Sequence, residues 1–187
     1  MALAVNQGAS WKRLINERRS VVYGLTFGIW AMVFIYCVLH DQYLVRLAPE
    51  HFTVYHPPLW GIDNESLLAV AWAFRASVGP GIILGLTATF AARAGRLPKM
   101  PLKPIFKAVL FGLIATELGG LAAGSYSWFT GRTLYPEAIY PELTRSLITS
   151  QSIQLTCYLV GSIFGVGLIL WIRRWRKRAA ISSTGAP

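Results

Sequence analysis

The sequence predicts an all-α integral membrane protein: a four-transmembrane-helix bundle with two loops on the extracytoplasmic side. Three observations lead there. The 187-residue chain is 54% apolar and holds four runs of about 18 or more largely uncharged residues, the length that a roughly 30 Å hydrocarbon layer demands of a helix. Fourteen of its eighteen Lys and Arg residues fall in three clusters, each flanking one of those runs. The runs are interrupted by glycine at four-residue spacing rather than by long polar stretches, the pattern of helices that pack closely in lipid. The net charge of +10 would suit a nucleic-acid partner in a soluble chain, but charge confined to the flanks of apolar runs serves topology instead. The partner implied is the lipid bilayer, with other membrane subunits or a second copy of the chain as further candidates, and no nucleic acid.

Residues 1–20 form a basic arm, with Lys12, Arg13, Arg18 and Arg19 against the single acid Glu17. Trp11, Leu14 and Ile15 would give it a short amphipathic helix on the membrane surface, and a solvated basic flank is the plainer reading. The membrane domain is expected over 21–178, with spans at about 21–39, 67–92, 108–129 and 153–172. The first is longer than a signal-peptide core and is followed by no small-residue cleavage site, so it is read as a retained helix. The second carries Arg75 and Gly79-Pro80-Gly81, where proline removes a backbone donor and predicts a kink. Its Gly81 and Gly85 form a small-residue step that lets another helix approach. The connector 93–107 has five basic residues and no acid. The third span contains Glu117 and the narrow face of Gly112, Gly119, Gly120 and Gly124. In the loop that follows, Pro141-Glu142 suits a helix start. The fourth span has Gly161 and Gly165 and ends in five basic residues. Residues 179–187 read as a disordered tail.

Basic clusters before span one, between spans two and three, and after span four place both termini in the cytoplasm by the positive-inside rule, in a cell inner membrane. The other two loops hold six acids against Arg46, Arg132 and Arg145. Cys37 and Cys157 are too few for a disulfide framework. They read as one bridge or, more plainly, as two buried thiols.

Candidate chemistry concentrates in residues 40–58, which contain all three histidines. His40, Asp41, Glu50 and His56 offer imidazole and carboxylate ligands of the kind a transition metal takes, although no established metal motif is present. Gln42 and Arg46 stand as supporting residues, with Arg46 expected to pair Asp41 or Glu50. A histidine beside a carboxylate also suits proton transfer near neutral pH. Within the spans, Arg75 and Glu117 are the two deep charges, about 12 Å and about 18 Å from their span ends at 1.5 Å per residue. Each is costly in hydrocarbon unless paired, so the expectation is an Arg75–Glu117 ion pair between spans two and three.

The run His40-Asp41-Gln42, Arg46, Glu50, Phe52-Thr53 and His56-Pro57-Pro58 resembles the signature of an uncharacterised family of bacterial multi-pass membrane proteins. Its members carry HDQ, R, EYFT and HPP at the same spacing just after the first hydrophobic span. The resemblance extends through the second span to about Lys99. It departs at His51, where the pattern has tyrosine, and at Ala48, where it often has cysteine, which makes His51 the weakest ligand candidate. The resemblance implies a bacterial membrane protein and brings no activity with it. Two functions follow from the residues. The first is a non-enzymatic accessory or assembly subunit with a polar extracytoplasmic cap, favoured by the absence of a recognisable nucleophile, metal motif or phosphate loop. The alternative is a small membrane-embedded enzyme or carrier whose site is the histidine and carboxylate group.

Overall fold

The computed structural model describes residues 17–184; the proposed surface helix around Trp11, Leu14 and Ile15 lies outside them. Among the described residues there are four long helices, each long and apolar enough to cross a membrane. They are α1 (Arg19–Leu47), α3 (Glu65–Arg93), α4 (Leu102–Thr130) and α5 (Arg145–Thr184), with a short α2 (Pro49–Thr53) capping one end. The protein is an all-α four-helix membrane bundle.

Local chemistry sets the helix ends. The first helix runs two turns past the expected limit at 39, because Leu44 and Val45 are fully buried on its inner face and hold the polar stretch helical. It stops at Ala48, where the following proline disfavours helical backbone, and Pro49 then opens α2 at the position that needs no donor. Asn64 caps α3, its side chain accepting the Leu67 amide at 3.0 Å. The α4 helix ends on Gly131 in the left-handed region, φ 67°, a conformation that costs glycine little. The last helix begins at Arg145 rather than at Pro141-Glu142. The Thr144 hydroxyl, not the acid, meets its first turn, accepting the Leu147 amide at 3.4 Å. At the other end α5 continues through Thr184, so the segment expected to be disordered from 179 is helical that far. Pro80 sits inside an unbroken α3.

Two antiparallel hairpins make the bundle: α1 packs on α3, and α4 on α5. The first is closed by the Gly81–Gly85 step. A Cβ at Gly85 would lie 2.4 Å from the Thr26 carbonyl oxygen, and one at Gly81 2.8 Å from the Trp30 ring, so only glycine permits this approach. Across it Thr26 and Thr89 share a hydroxyl hydrogen bond of 3.2 Å. The second hairpin closes at Gly112, Gly120 and Gly124, against Phe164, Cys157 and Ile153. The hairpins meet mainly where α3 touches α5. The parallel helices α1 and α4 also touch, over a somewhat smaller area and with a gap along part of their length, while the consecutive α3 and α4 sit diagonally without a substantial contact. Large apolar side chains such as Phe111, Leu118, Phe129 and Ile163 face outward, as a surface in contact with lipid requires. The gap between α1 and α4 positions the candidate site.

Candidate functional site: an intramembrane cleft

Two stripes at helical spacing line that gap. On α1 they are Met32, Ile35, Tyr36, Leu39, His40 and Tyr43; on α4, Leu110, Leu113, Ile114 and Glu117. Residues three and four apart share a helix face, so each stripe is apolar along its length and polar at the same end. The cleft between them has a volume of about 460 Å³ and opens sideways into the bilayer: Ile35, Leu39 and Leu110 are 58%, 67% and 53% exposed.

Its polar end is a hydrogen-bonded group from both helices. His40 Nδ1 lies 2.9 Å from Glu117 Oε2, and the Tyr43 hydroxyl donates to Glu117 Oε1 at 2.7 Å while lying 3.1 Å from His40 Nδ1. Glu117 stands about 22 Å from one end of α4 and about 20 Å from the other at 1.5 Å per residue, near the middle of that helix. His40 is buried, and Glu117 keeps a quarter of its side chain exposed. With the carboxylate ionised, both of its oxygens already accept a hydrogen bond. Behind the pair, on α5, the buried Cys157 thiol donates to the Thr116 carbonyl at 3.5 Å. The Tyr36 hydroxyl is buried without a well-formed hydrogen bond, although it stands close to both Cys157 and Glu117.

The remaining sequence candidates do not join this group or one another. Asp41, next to His40 but turned about 100° around α1, is buried and makes no hydrogen bond or ion pair among the described residues. Glu50 accepts from the Ser146 hydroxyl at 3.0 Å, tying α2 to α5. His56 donates through Nδ1 to the His51 carbonyl and packs on Trp72, ring centroids 4.7 Å apart. The expectation that His40, Asp41, Glu50 and His56 form one ligand cluster is therefore corrected: helix α1 continues through the first two, α2 carries Glu50 to Ser146, and the bend after α2 turns His56 onto Trp72. Arg46 pairs neither acid; it bonds the Gln42 carbonyl, and Gln42 in turn donates to the Ser66 carbonyl at 2.8 Å. The Arg75–Glu117 pair is not formed either. Arg75 is exposed, its guanidinium 5.1 Å from the Trp72 ring, a cation–π contact. The two charges sit on diagonal helices, and α1 supplies Glu117 with its partners. Cys37 and Cys157 are both free thiols.

His51 deserves notice as a titrating group outside the spans. Both of its ring nitrogens are buried without a well-formed hydrogen bond, the Gln154 side chain standing nearby. Burial first, and the neighbouring His56 second, push its pKa from 6.5 down to about 4. The folded chain thus takes up this proton less readily than the unfolded chain. The contribution is complete above pH 6.5 and is lost as pH falls from there towards 4. This net shift, in which Gln154 and Glu50 already offset part of the burial, corresponds to a loss of about 3 kcal/mol. Unfolding in lipid nanodiscs should show the midpoint dropping over that window, and His51→Phe should flatten the drop.

Sequence reasoning missed Tyr36, Tyr43 and Cys157. The stripe Tyr36–His40–Tyr43 is visible at i, i+4 and i+7 once α1 is allowed to continue past residue 39; nothing in the sequence places Cys157 beside it. The fold and cleft together define a multi-pass helical membrane protein with a polar site opening to the bilayer. No protein-family model matches the chain, and neither a curated protein nor a solved structure matches it.

Proposed function

We propose that the protein captures a lipid-phase molecule in the α1–α4 cleft, holding an apolar body against Ile35, Leu39, Leu110 and Ile114 and a hydrogen-bond-donating head against Glu117 and His40. The observation that carries this reading is a partly exposed glutamate midway along a membrane-spanning helix, facing an apolar cleft rather than a helix partner that covers it. Ionisable groups inside a bilayer are costly and are kept at functional sites. The head is a donor because Glu117 already receives Tyr43 and His40 and offers only acceptor capacity to a newcomer. A neutral amphiphile with a hydroxyl head, such as a lipid alcohol or a quinol, fits that chemistry. The cleft volume lies within the range of small-molecule sites, roughly 300–1,000 Å³. The resemblance of residues 40–58 to a bacterial membrane family belongs to the same reading, since His40 opens that signature and lines the cleft.

Protein extracted into polymer nanodiscs without detergent should carry a hydroxyl-headed neutral lipid enriched over the bulk membrane extract, and Ile114→Trp, which fills the cleft, should abolish the enrichment. A wild-type extract matching the bulk membrane would remove the proposal. The second part of the reading is orientation. The basic connector and both termini belong on the cytoplasmic side of a bacterial inner membrane, supported by the charge distribution. Cysteines introduced at positions 55 and 135 should react with an impermeant reagent from outside, and one at 98 should not.

A further inference from the structure

We propose that His40, Glu117 and Cys157 bind one divalent transition-metal ion of zinc-like preference, with its remaining coordination position turned towards the cleft. The inference rests on the cleft reading and deepens it: the ion would hold the hydroxyl head of the captured molecule. Among the described residues this is the one trio whose imidazole, carboxylate and sulfur atoms all lie within 4.8 Å of one another. The ligands come from three helices, α1, α4 and α5. Zinc takes nitrogen at about 2.0 Å and sulfur at about 2.3 Å, so donors around it stand roughly 3.5 Å apart. Side-chain adjustments of about an ångström close the trio to that geometry. Space for the sulfur exists because residue 120 is glycine: a Cβ there would stand 2.4 Å from Cys157 Sγ.

The donor set and its charge suit the location. Thiolate, imidazole and carboxylate together are ligands of a zinc-class ion. A dication with one thiolate, one carboxylate and a neutral imidazole sums to zero, the charge that hydrocarbon surroundings tolerate best. Binding breaks the Cys157 S–H bond and forms a metal–sulfur bond, releasing one proton to solvent. The two tyrosines supply the outer ring that metal ligands ordinarily recruit. Tyr43 donates to Glu117 at 2.7 Å. The Tyr36 hydroxyl, buried without a well-formed partner beside Cys157, would donate to the thiolate that the ion creates. His40 and Cys157 are buried while Glu117 stays partly exposed and lines the cleft with His40. The open side of a three-ligand site therefore faces the cleft, the arrangement in which zinc binds an exchangeable oxygen ligand.

The test uses the full chain in detergent, stripped with a chelator and reloaded with cobalt(II). Wild type should take up about one ion per chain, displaceable by zinc, with a near-ultraviolet thiolate-to-cobalt absorption. Cys157→Ser should lose that absorption and bind at least about tenfold more weakly, while Cys37→Ser keeps both. Circular dichroism and gel filtration confirm that each variant is folded. Wild-type uptake below about a tenth of an ion per chain, or an absorption that survives Cys157→Ser, overturns the proposal. Lipid enrichment is measured separately, on unstripped protein extracted into polymer nanodiscs. Its presence without cobalt binding would sink the metal site alone, and cobalt binding without enrichment would sink the cleft reading alone.

Discussion

Arg176→Ala should destabilise the protein by about 3–5 kcal/mol, read as a shift in the unfolding midpoint in mixed micelles. This side chain, only 3% exposed, spreads its guanidinium over the end of another helix. It donates to the carbonyls of Pro98 at 2.8 Å, Ala94 at 2.7 Å and Leu97 at 2.9 Å, and also to that of Ala91. The last carbonyls of any helix lack intrahelical partners and carry the negative end of its dipole. Here α3 ends at Arg93 and the connector folds back over it, the Met100 amide reaching the Ala92 carbonyl at 3.3 Å. Hydrogen bonds from a charged donor contribute about 1.5–3 kcal/mol each, but four on one group are not independent, and water would enter an alanine variant. The total therefore falls well short of four times the single value. Arg176→Lys keeps the charge and loses the planar fork, so it should recover less than half. Arg173→Ala, an exposed neighbour, should change stability by less than about 0.5 kcal/mol. Equal losses at 173 and 176 would show that the basic cluster acts only through its summed charge.

Arg176 also marks where the sequence stops being readable. Five basic residues after an apolar run declare a membrane boundary, because cost in hydrocarbon depends on residue type and local composition alone. Which of the five folds inward depends on where the α3–α4 connector lies, a non-local fact. The same division runs through the site. Four spans, the Gly81–Gly85 approach and the isolation of Glu117 in an apolar run are local properties, and each is legible. The length of α1 is not legible by composition, because His40 to Arg46 reads as a polar loop whereas Leu44 and Val45 anchor it as helix; Pro49 is the stop signal that the sequence does carry. The partner of Glu117 is a non-local fact as well, since a pair with Arg75 requires spans two and three to be neighbours. In the bundle α3 and α4 are diagonal, and the parallel pair α1 and α4 shares the cleft instead. Glycines on α4 pointed to a close contact without saying that Cys157 would fill the space left at Gly120.

Replacing Glu117 by alanine should cost about 3 kcal/mol, and the loss should not add to that of His40→Ala. The carboxylate accepts from two donors in the cleft, Tyr43 at 2.7 Å and His40 at 2.9 Å. Its removal leaves both facing an apolar wall without water to replace it. Breaking a buried charged pair from one side costs about 3–5 kcal/mol. The lower end applies because a quarter of the Glu117 side chain is exposed and Tyr43 can rotate to keep its contact with His40. Once His40 is gone, removing Glu117 strands only Tyr43, so the double variant should be more stable than the sum of single losses predicts by about 1–2 kcal/mol. Glu117→Gln separates charge from hydrogen bonding. The amide oxygen still accepts from Tyr43, but its nitrogen competes with the imidazole as a donor, and the loss should be intermediate. A coupling below about 0.5 kcal/mol would mean that His40 and Glu117 act independently, with each group satisfied from the cleft side. Measuring the cycle in nanodiscs stripped of co-purified lipid and metal isolates the protein's own pair from anything the cleft has captured. Repeating it in the loaded state would then show how much of the coupling the occupant takes over.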